Sequence, residues 1–175
     1  MRGYFGIGIW GGNKPMNAGN LFRTAHAFGA GFVFTIAADY SVARARSDTS
    51  LAPRNVPWYD LASLDDLRLP HGCDLVGVEL TPDAVELPSF PHPLAAAYLL
   101  GPERGALPPD LLARCRHVVK IPTAFSLNVA TAGAIVLYDR VRTLGRFGER
   151  PVASRARPVP PPPHVHGGPI RRRKR

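Results

Sequence analysis

Cysteine is scarce: the 175 residues hold two, Cys73 and Cys115. They are far apart, with no CxxC pair and no zinc-like spacing, which excludes a disulfide scaffold and a zinc ribbon. Two reduced thiols are expected, and no metal. Long apolar runs are missing too. No stretch reaches the ~18 residues a membrane helix needs, and the opening MRGYFGIGIWGG is too short and too glycine-rich for a signal peptide. No membrane partner is therefore expected, and the expected location is the cytoplasm. Acid is lacking at one end only. Residues 150–175 carry eight Lys/Arg and no Asp or Glu, whereas the first 149 carry 14 Lys/Arg against 13 Asp/Glu. The net charge of +9 thus belongs to an appendage rather than to the domain, which argues against a uniformly basic nucleic-acid coat.

The appendage is also set apart by proline. Seven prolines follow from Pro151, four of them consecutive from Pro160 to Pro163, and the chain ends in Arg171-Arg172-Arg173-Lys174-Arg175. Proline runs favour extended, solvated chain, so 150–175 is expected to be a disordered basic tail. Such a tail attracts polyanions through a field that salt screens. A solubilising end without a partner is the plainer alternative. Residues 1–149 are expected to form one domain.

Within that domain, strand-like and helix-like stretches alternate. Tyr4 to Trp10, Phe32 to Ala37, Cys73 to Leu80, Ala95 to Leu100 and His117 to Ile121 read as strands. Asn20 to Phe28 places Leu21, Phe22, Ala25 and Phe28 on one helical face, and Gly29 and Gly31 stop it. Residues 39–57 read as a polar loop with room for a helical turn. Ser63 with Asp66 forms a capping-box pattern, Pro108 and Pro109 open a helix through Cys115, and Asn128 to Leu144 is a long apolar helix. This alternation predicts an α/β domain on a mostly parallel sheet flanked by helices.

Three polar stretches fall at strand or helix ends, where open α/β sheets take ligands. Asn17 to Arg23 (NAGNLFR) is the first. If Asn20 caps the helix, Arg23 lies in its first turn, where a planar guanidinium can hold a phosphate or a developing oxyanion; a plain surface arginine is the alternative. Leu100-Gly101-Pro102-Glu103-Arg104-Gly105 is the second, a strand running into glycine, so that backbone can approach a ligand closely. Ile121-Pro122 followed by Ser126-Leu127-Asn128 is the third; Ser126 or Asn128 can cap the helix that follows, whether or not either has a further role.

Taken together and in this order, NAGNLFR, LGPERG and IP…SLNVATAGAIVLYD resemble motifs 1 to 3 of the SpoU-type branch of the SPOUT RNA methyltransferases. The resemblance covers about residues 3–145. Asp48-Thr49-Ser50 also looks familial, more weakly. The resemblance implies a C-terminal trefoil knot over roughly residues 78–145, although topology rules make knots rare. It implies that S-adenosylmethionine sits among three loops, on Leu80, on Leu100, Gly101 and Gly105, and on Ile121, Ser126 and Leu127. It implies a homodimer with the active site near the interface, and RNA as the substrate, transfer RNA first and ribosomal RNA second. Asn17, Arg23, Glu103, Ser126 and Asn128 match the family's catalytic positions. On that basis Arg23 binds the RNA phosphate and steadies the forming 2′-alkoxide. Asn17 orients it, Ser126 and Asn128 hold the methionine end and the target nucleotide, and Glu103 pairs with an arginine, such as Arg23 of a second subunit. Only Thr123, Ala124 and Phe125 separate Ile121-Pro122 from Ser126, a shorter spacing than in most of the family, which tightens one loop and marks a distinct subfamily.

Two rival readings come from other classes. Gly6-Ile7-Gly8-Ile9-Trp10-Gly11 fits the G-x-G-x-x-G pattern of dinucleotide enzymes, but the glycines lie inside a strand-like run and Asn13-Lys14-Pro15 follows where a helix should begin. A non-catalytic RNA-binding protein working through its tail is the other; the intact polar set of the three stretches speaks against it.

Overall fold

The computed structural model describes residues 3–12, 14–38, 52–102 and 105–145, with 147, 157 and 160 as isolated positions. The chain divides into two units, Met1–Leu144 and Gly145–Arg175. The expected tail and the Asp48-Thr49-Ser50 stretch lie outside the described residues, apart from positions 157 and 160 of the tail.

The first unit is built from β1 (Tyr4–Trp10), α1 (Pro15–Phe28), β2 (Phe32–Ile36), α2 (Ala52–Asn55), β3 (Trp58–Leu61), β4 (Asp74–Val78), β5 (Val85–Glu86), β6 (Ala95–Leu100), α3 (Pro109–Arg114), β7 (His117–Lys120) and α4 (Val129–Leu144). The strands form one sheet in the order β3-β2-β1-β6-β4-β7-β5. Every pairing in it is parallel. The mostly parallel sheet read from the alternation is thus present. Among the described residues no helix is long and apolar enough to cross a membrane.

Alternation along β1 sorts its side chains between two cores. Phe5, Ile7 and Ile9 face α1 and α4, packing with Leu21, Phe22, Val136 and Leu137. The opposite face carries Gly6 and Gly8, paired in register with Phe32 and Phe34. A Cβ at Gly6 would lie 2.4 Å from the Phe32 ring, and one at Gly8 would lie 2.5 Å from the Phe34 ring and carbonyl. The two glycines therefore make a shelf on which two stacked rings lie across the sheet. This accounts for the G-x-G-x-x-G pattern without any phosphate: the first two glycines are strand interior, and the rival dinucleotide reading loses its basis. The ring side continues into a second core of Ile36, Leu75, Leu99 and Leu111 under α3.

Several element ends differ from the sequence reading. Helix α1 begins at Pro15 rather than Asn20, because proline supplies the helical φ and lacks only an N–H that would be unpaired there. Asn20 is thus mid-helix and exposed, and its carbonyl accepts a bond from the Thr24 hydroxyl at 2.8 Å. Arg23 is the ninth residue of the helix and not part of its first turn, where Asn17 lies instead. Gly29 ends the helix as expected, at φ 77° with its N–H on the last turn. Strands β3 and β5, four and two residues long, were not anticipated. The Ser63–Asp66 capping box is present and opens a single 3-10 turn, Leu64–Asp66.

Candidate functional site

Strands β6, β4 and β7 are neighbours and run parallel, so their carboxyl ends reach one edge of the sheet together. The chain leaves β4 after Val78, β6 after Leu100 and β7 after Lys120. The three loops line a cleft, open to solvent, against the start of α4 at Val129 and Ala132. All seven residues assigned to a ligand from the sequence line it: Leu80, Leu100, Gly101, Gly105, Ile121, Ser126 and Leu127. They come from stretches about 20 residues apart and meet only because β6 is inserted between β1 and β4.

The third loop is as tight as its spacing suggests. The Thr123 N–H donates to the Ile121 carbonyl at 2.8 Å. Its hydroxyl donates to the carbonyls of Phe125 at 2.8 Å and Ile121 at 3.4 Å. The short segment thus folds on itself and presents Ser126 and Leu127 to the cleft. Asn128 then caps α4: its Oδ1 accepts from the N–H groups of Ala130 at 2.9 Å and Thr131 at 3.3 Å. Of the two capping candidates, Asn128 and not Ser126 is the one bonded.

The same side chain links the first stretch to the third. Asn128 Nδ2 donates to Asn17 Oδ1 at 3.0 Å, joining the first turns of α1 and α4. Asn17 is buried, 8% exposed, so this acceptor would otherwise sit away from water. Replacing Asn128 by alanine removes a helix cap and the bond to Asn17. The expected loss is about 2 kcal/mol of stability, read as a lower denaturant midpoint at unchanged slope.

Arg23 stands apart. It is exposed on the face of α1 that also carries Met16 and Asn20, and it is not among the residues lining the cleft. The second and third stretches meet at the cleft with the loop after β4, whereas Arg23, expected to point into the same pocket, does not line it, and the first stretch is joined to the start of α4 through Asn17 and Asn128. Glu103 lies outside the described residues.

The sequence reading overlooked two charged residues of the cleft, Glu79 and Lys120. Lys120 Nζ donates to the carbonyls of Thr81 at 3.5 Å and Pro82 at 3.2 Å, tying β7 to the loop after β4. Each is the residue at or just past the end of an apolar strand, and that position was the available signal.

Other candidate chemistry is weak. Both thiols are free. Burial pushes Cys115 up to about 11 and raises Cys73, so neither is a ready thiolate nucleophile at neutral pH. Among the described residues no group of His, Cys, Asp or Glu is arranged to hold a metal ion.

The cleft's surfaces are backbone groups and apolar side chains, with the Glu79 carboxylate, the Lys120 ammonium and the hydroxyls of Thr123 and Ser126 among them, suited to a ligand with both apolar and polar parts. Two details fit such a ligand. A Cβ at Gly101 would fill the cradle, lying 3.0 Å from Glu79 Oε2 and 3.5 Å from the Leu107 nitrogen. Next in sequence to Leu80 of the lining, Thr81 Oγ1 is buried with no hydrogen-bond partner among the described residues.

Comparison with known proteins agrees with this geometry. The model of the SpoU rRNA Methylase family matches residues 6–138. The mouse tRNA (guanosine(18)-2'-O)-methyltransferase TARBP1 is 28% identical over 141 residues, covering 74% of this chain but 9% of the mouse protein. The SpoU methyltransferase AviRb of Streptomyces viridochromogenes superposes with a TM-score of 0.72 at 24% identity, over 81% of this chain and 60% of that one. AviRb has also been solved in complex with the cofactor AdoMet. A structure solved for insight into 2-OH methylation of C/U34 on tRNA superposes with a TM-score of 0.68 at 26% identity, over 82% of this chain and 98% of that one. The chain spans only a small part of the mouse protein and less than two thirds of AviRb.

Proposed function

Because the chain belongs to the SpoU rRNA methylase family, we propose that it transfers a methyl group from S-adenosylmethionine to a ribose 2′-hydroxyl of RNA. The observation that carries this is the convergence of three loops on one cleft at the carboxyl ends of β6, β4 and β7. Leu80, Leu100, Gly101, Gly105, Ile121, Ser126 and Leu127 would hold the donor, mostly through backbone groups. When bound, that donor supplies a methyl carbon already activated by a positive sulfur.

The protein's task is then to place the hydroxyl and favour loss of its proton. Arg23 fits the second role. A guanidinium does not give up a proton in proteins, so it acts as a field and not as a base. It holds the RNA phosphate beside the target ribose and stabilises negative charge growing on the 2′-oxygen; a phosphate oxygen or water takes the proton. Asn17, fixed by Asn128, sets the start of α1 against that of α4 and so orients the helix that carries Arg23. Ser126, which lines the cleft, is assigned to contact with both ligands, and Glu103 to pairing with an arginine.

A homodimer is part of this reading. What supports it is that Arg23 is exposed on α1 and does not line the cleft of its own chain, so that a second copy's cleft is where it would act. The trefoil knot over roughly residues 78–145 belongs to this reading too. Transfer RNA is the favoured substrate: the mouse relative's name and the C/U34 structure both specify tRNA. Ribosomal RNA, which the family's description names, is the second.

The test is incorporation of labelled methyl from S-adenosylmethionine into purified tRNA and rRNA, with the product nucleoside identified by mass spectrometry. A 2′-O-methyl nucleoside supports the reading; a base-methylated product, or no donor binding in calorimetry, sinks it. A chain truncated after Glu149 is expected to bind donor as well as the full chain. It should lose RNA affinity at low salt and show a shallower dependence on salt, since the cationic residues releasing counterions are gone.

A further inference from the structure

We propose that Glu79 is a positioning residue for the donor cleft, clamping the loop after β6 to the loop after β4 and so fixing the wall on which the donor lies. The proposal rests on the methyl-donor reading above and adds a residue that reading did not use.

Glu79 is the first residue past β4, and its bonds reach β7, its own loop and the loop after β6. Its backbone N–H donates to the Val119 carbonyl at 3.0 Å, which ties it to β7. Its Oε1 accepts from the N–H of Leu80 at 2.9 Å, within its own loop. Its Oε2 accepts from the N–H of Leu107 at 2.8 Å, in the loop after β6. Leu107 is 2% exposed and packs in the second core with Leu111 and Leu99. Its amide is thus withdrawn from water and needs an acceptor, and a carboxylate is a stronger one than a carbonyl. The approach depends on Gly101, since a Cβ there would come within 3.0 Å of Oε2. Glycine at 101 and glutamate at 79 therefore form a matched pair: one makes the room and the other uses it. The clamp thus ties the segment carrying Gly101, Pro102 and Gly105 to the loop after β4.

Glu79→Ala and Glu79→Gln in the full chain test this. Amide hydrogen exchange at Leu107, measured without donor, should quicken about tenfold or more in Glu79→Ala. The calorimetric Kd for S-adenosylmethionine should rise by about the same factor, and the donor KM should rise far more than kcat falls. Glu79→Gln, which keeps one neutral acceptor, should lie between native and alanine in all three. Should the alanine variant fail to fold, the glutamine variant carries the same comparison. Unchanged exchange at Leu107 overturns the clamp, and quickened exchange with unaltered donor affinity overturns its role in the site. Failure of the native chain to bind donor would instead sink the functional reading, while exchange at Leu107 would still decide the clamp.

Discussion

Arg23→Ala is expected to lower the single-turnover rate of methyl transfer by about a hundredfold or more, with the donor Kd unchanged. The two halves of this result have separate causes. Donor affinity is preserved because Arg23 does not line the cleft. Rate is lost because a charge-bearing donor near the reacting oxygen acts mainly when negative charge develops there. Arg23→Lys keeps the charge but not the planar fork, and should recover only part of the rate. Mixing Arg23→Ala subunits with subunits disabled at Gly101 gives a sharper readout. If the arginine serves the partner's cleft, the mixture should regain activity that neither variant shows alone. Native activity in Arg23→Ala would remove this residue from the mechanism.

Arg140→Ala is expected to cost about 3–5 kcal/mol of stability, lowering the thermal midpoint by roughly 10 °C. Arg140 lies in α4 and is 1% exposed. Its Nη1 donates to the Pro93 carbonyl at 2.6 Å and to the Tyr98 hydroxyl at 3.0 Å, and its Nη2 to the Leu94 carbonyl at 2.8 Å. The guanidinium also lies 4.9 Å from the centre of the Phe5 ring. The chain of bonds continues, with Tyr98 Oη and His92 Nδ1 2.6 Å apart and His92 Nε2 3.0 Å from Asp139. Burial lowers the His92 pKa against the opposing pull of Asp139, so the ring is neutral; it donates to Asp139 and accepts from Tyr98. Burial likewise pushes Tyr98 up to about 12. Truncating Arg140 strands the Pro93 carbonyl, takes one of two donors from the Leu94 carbonyl, which keeps the Tyr4 N–H at 2.9 Å, and removes the cation from the relay that ends on Asp139. Tyr98→Phe, which removes one hydroxyl, should cost less, about 1–3 kcal/mol. Denaturant midpoints at constant slope would check both; an Arg140→Ala loss under about 1 kcal/mol would refute the account.

Why the sequence revealed some of this and hid the rest is a matter of range. Strands β1 and β6 were legible to the residue because each is an unbroken apolar run bounded by glycine, or by proline and a turn. The start of α1 was misplaced because Asn20 resembles a cap, while the real start relies on Pro15 and no side-chain bond. Strands β3 and β5 are too short to show a period; pairing with β2 and β7 makes them strands. The cleft residues were named through the family resemblance of the three motifs, since Leu80 and Ile121 have no local signature of their own. Glu79 has none: its importance lies in an amide 28 residues away. The Arg140 relay was missed for the same reason, although a tyrosine inside the otherwise aliphatic β6 was a visible oddity.

The order of strands across the sheet also constrains how the protein comes to exist. Strand β4 is made before both of its neighbours, β6 and β7, and β1 must wait for β6 through some 85 residues of chain. The binding cleft therefore has no precursor on the ribosome: until the segment after residue 95 has emerged and inserted, its first loop has nothing to face. Contacts this distant in sequence slow folding, so assembly of the site should coincide with the last rate-limiting step of folding.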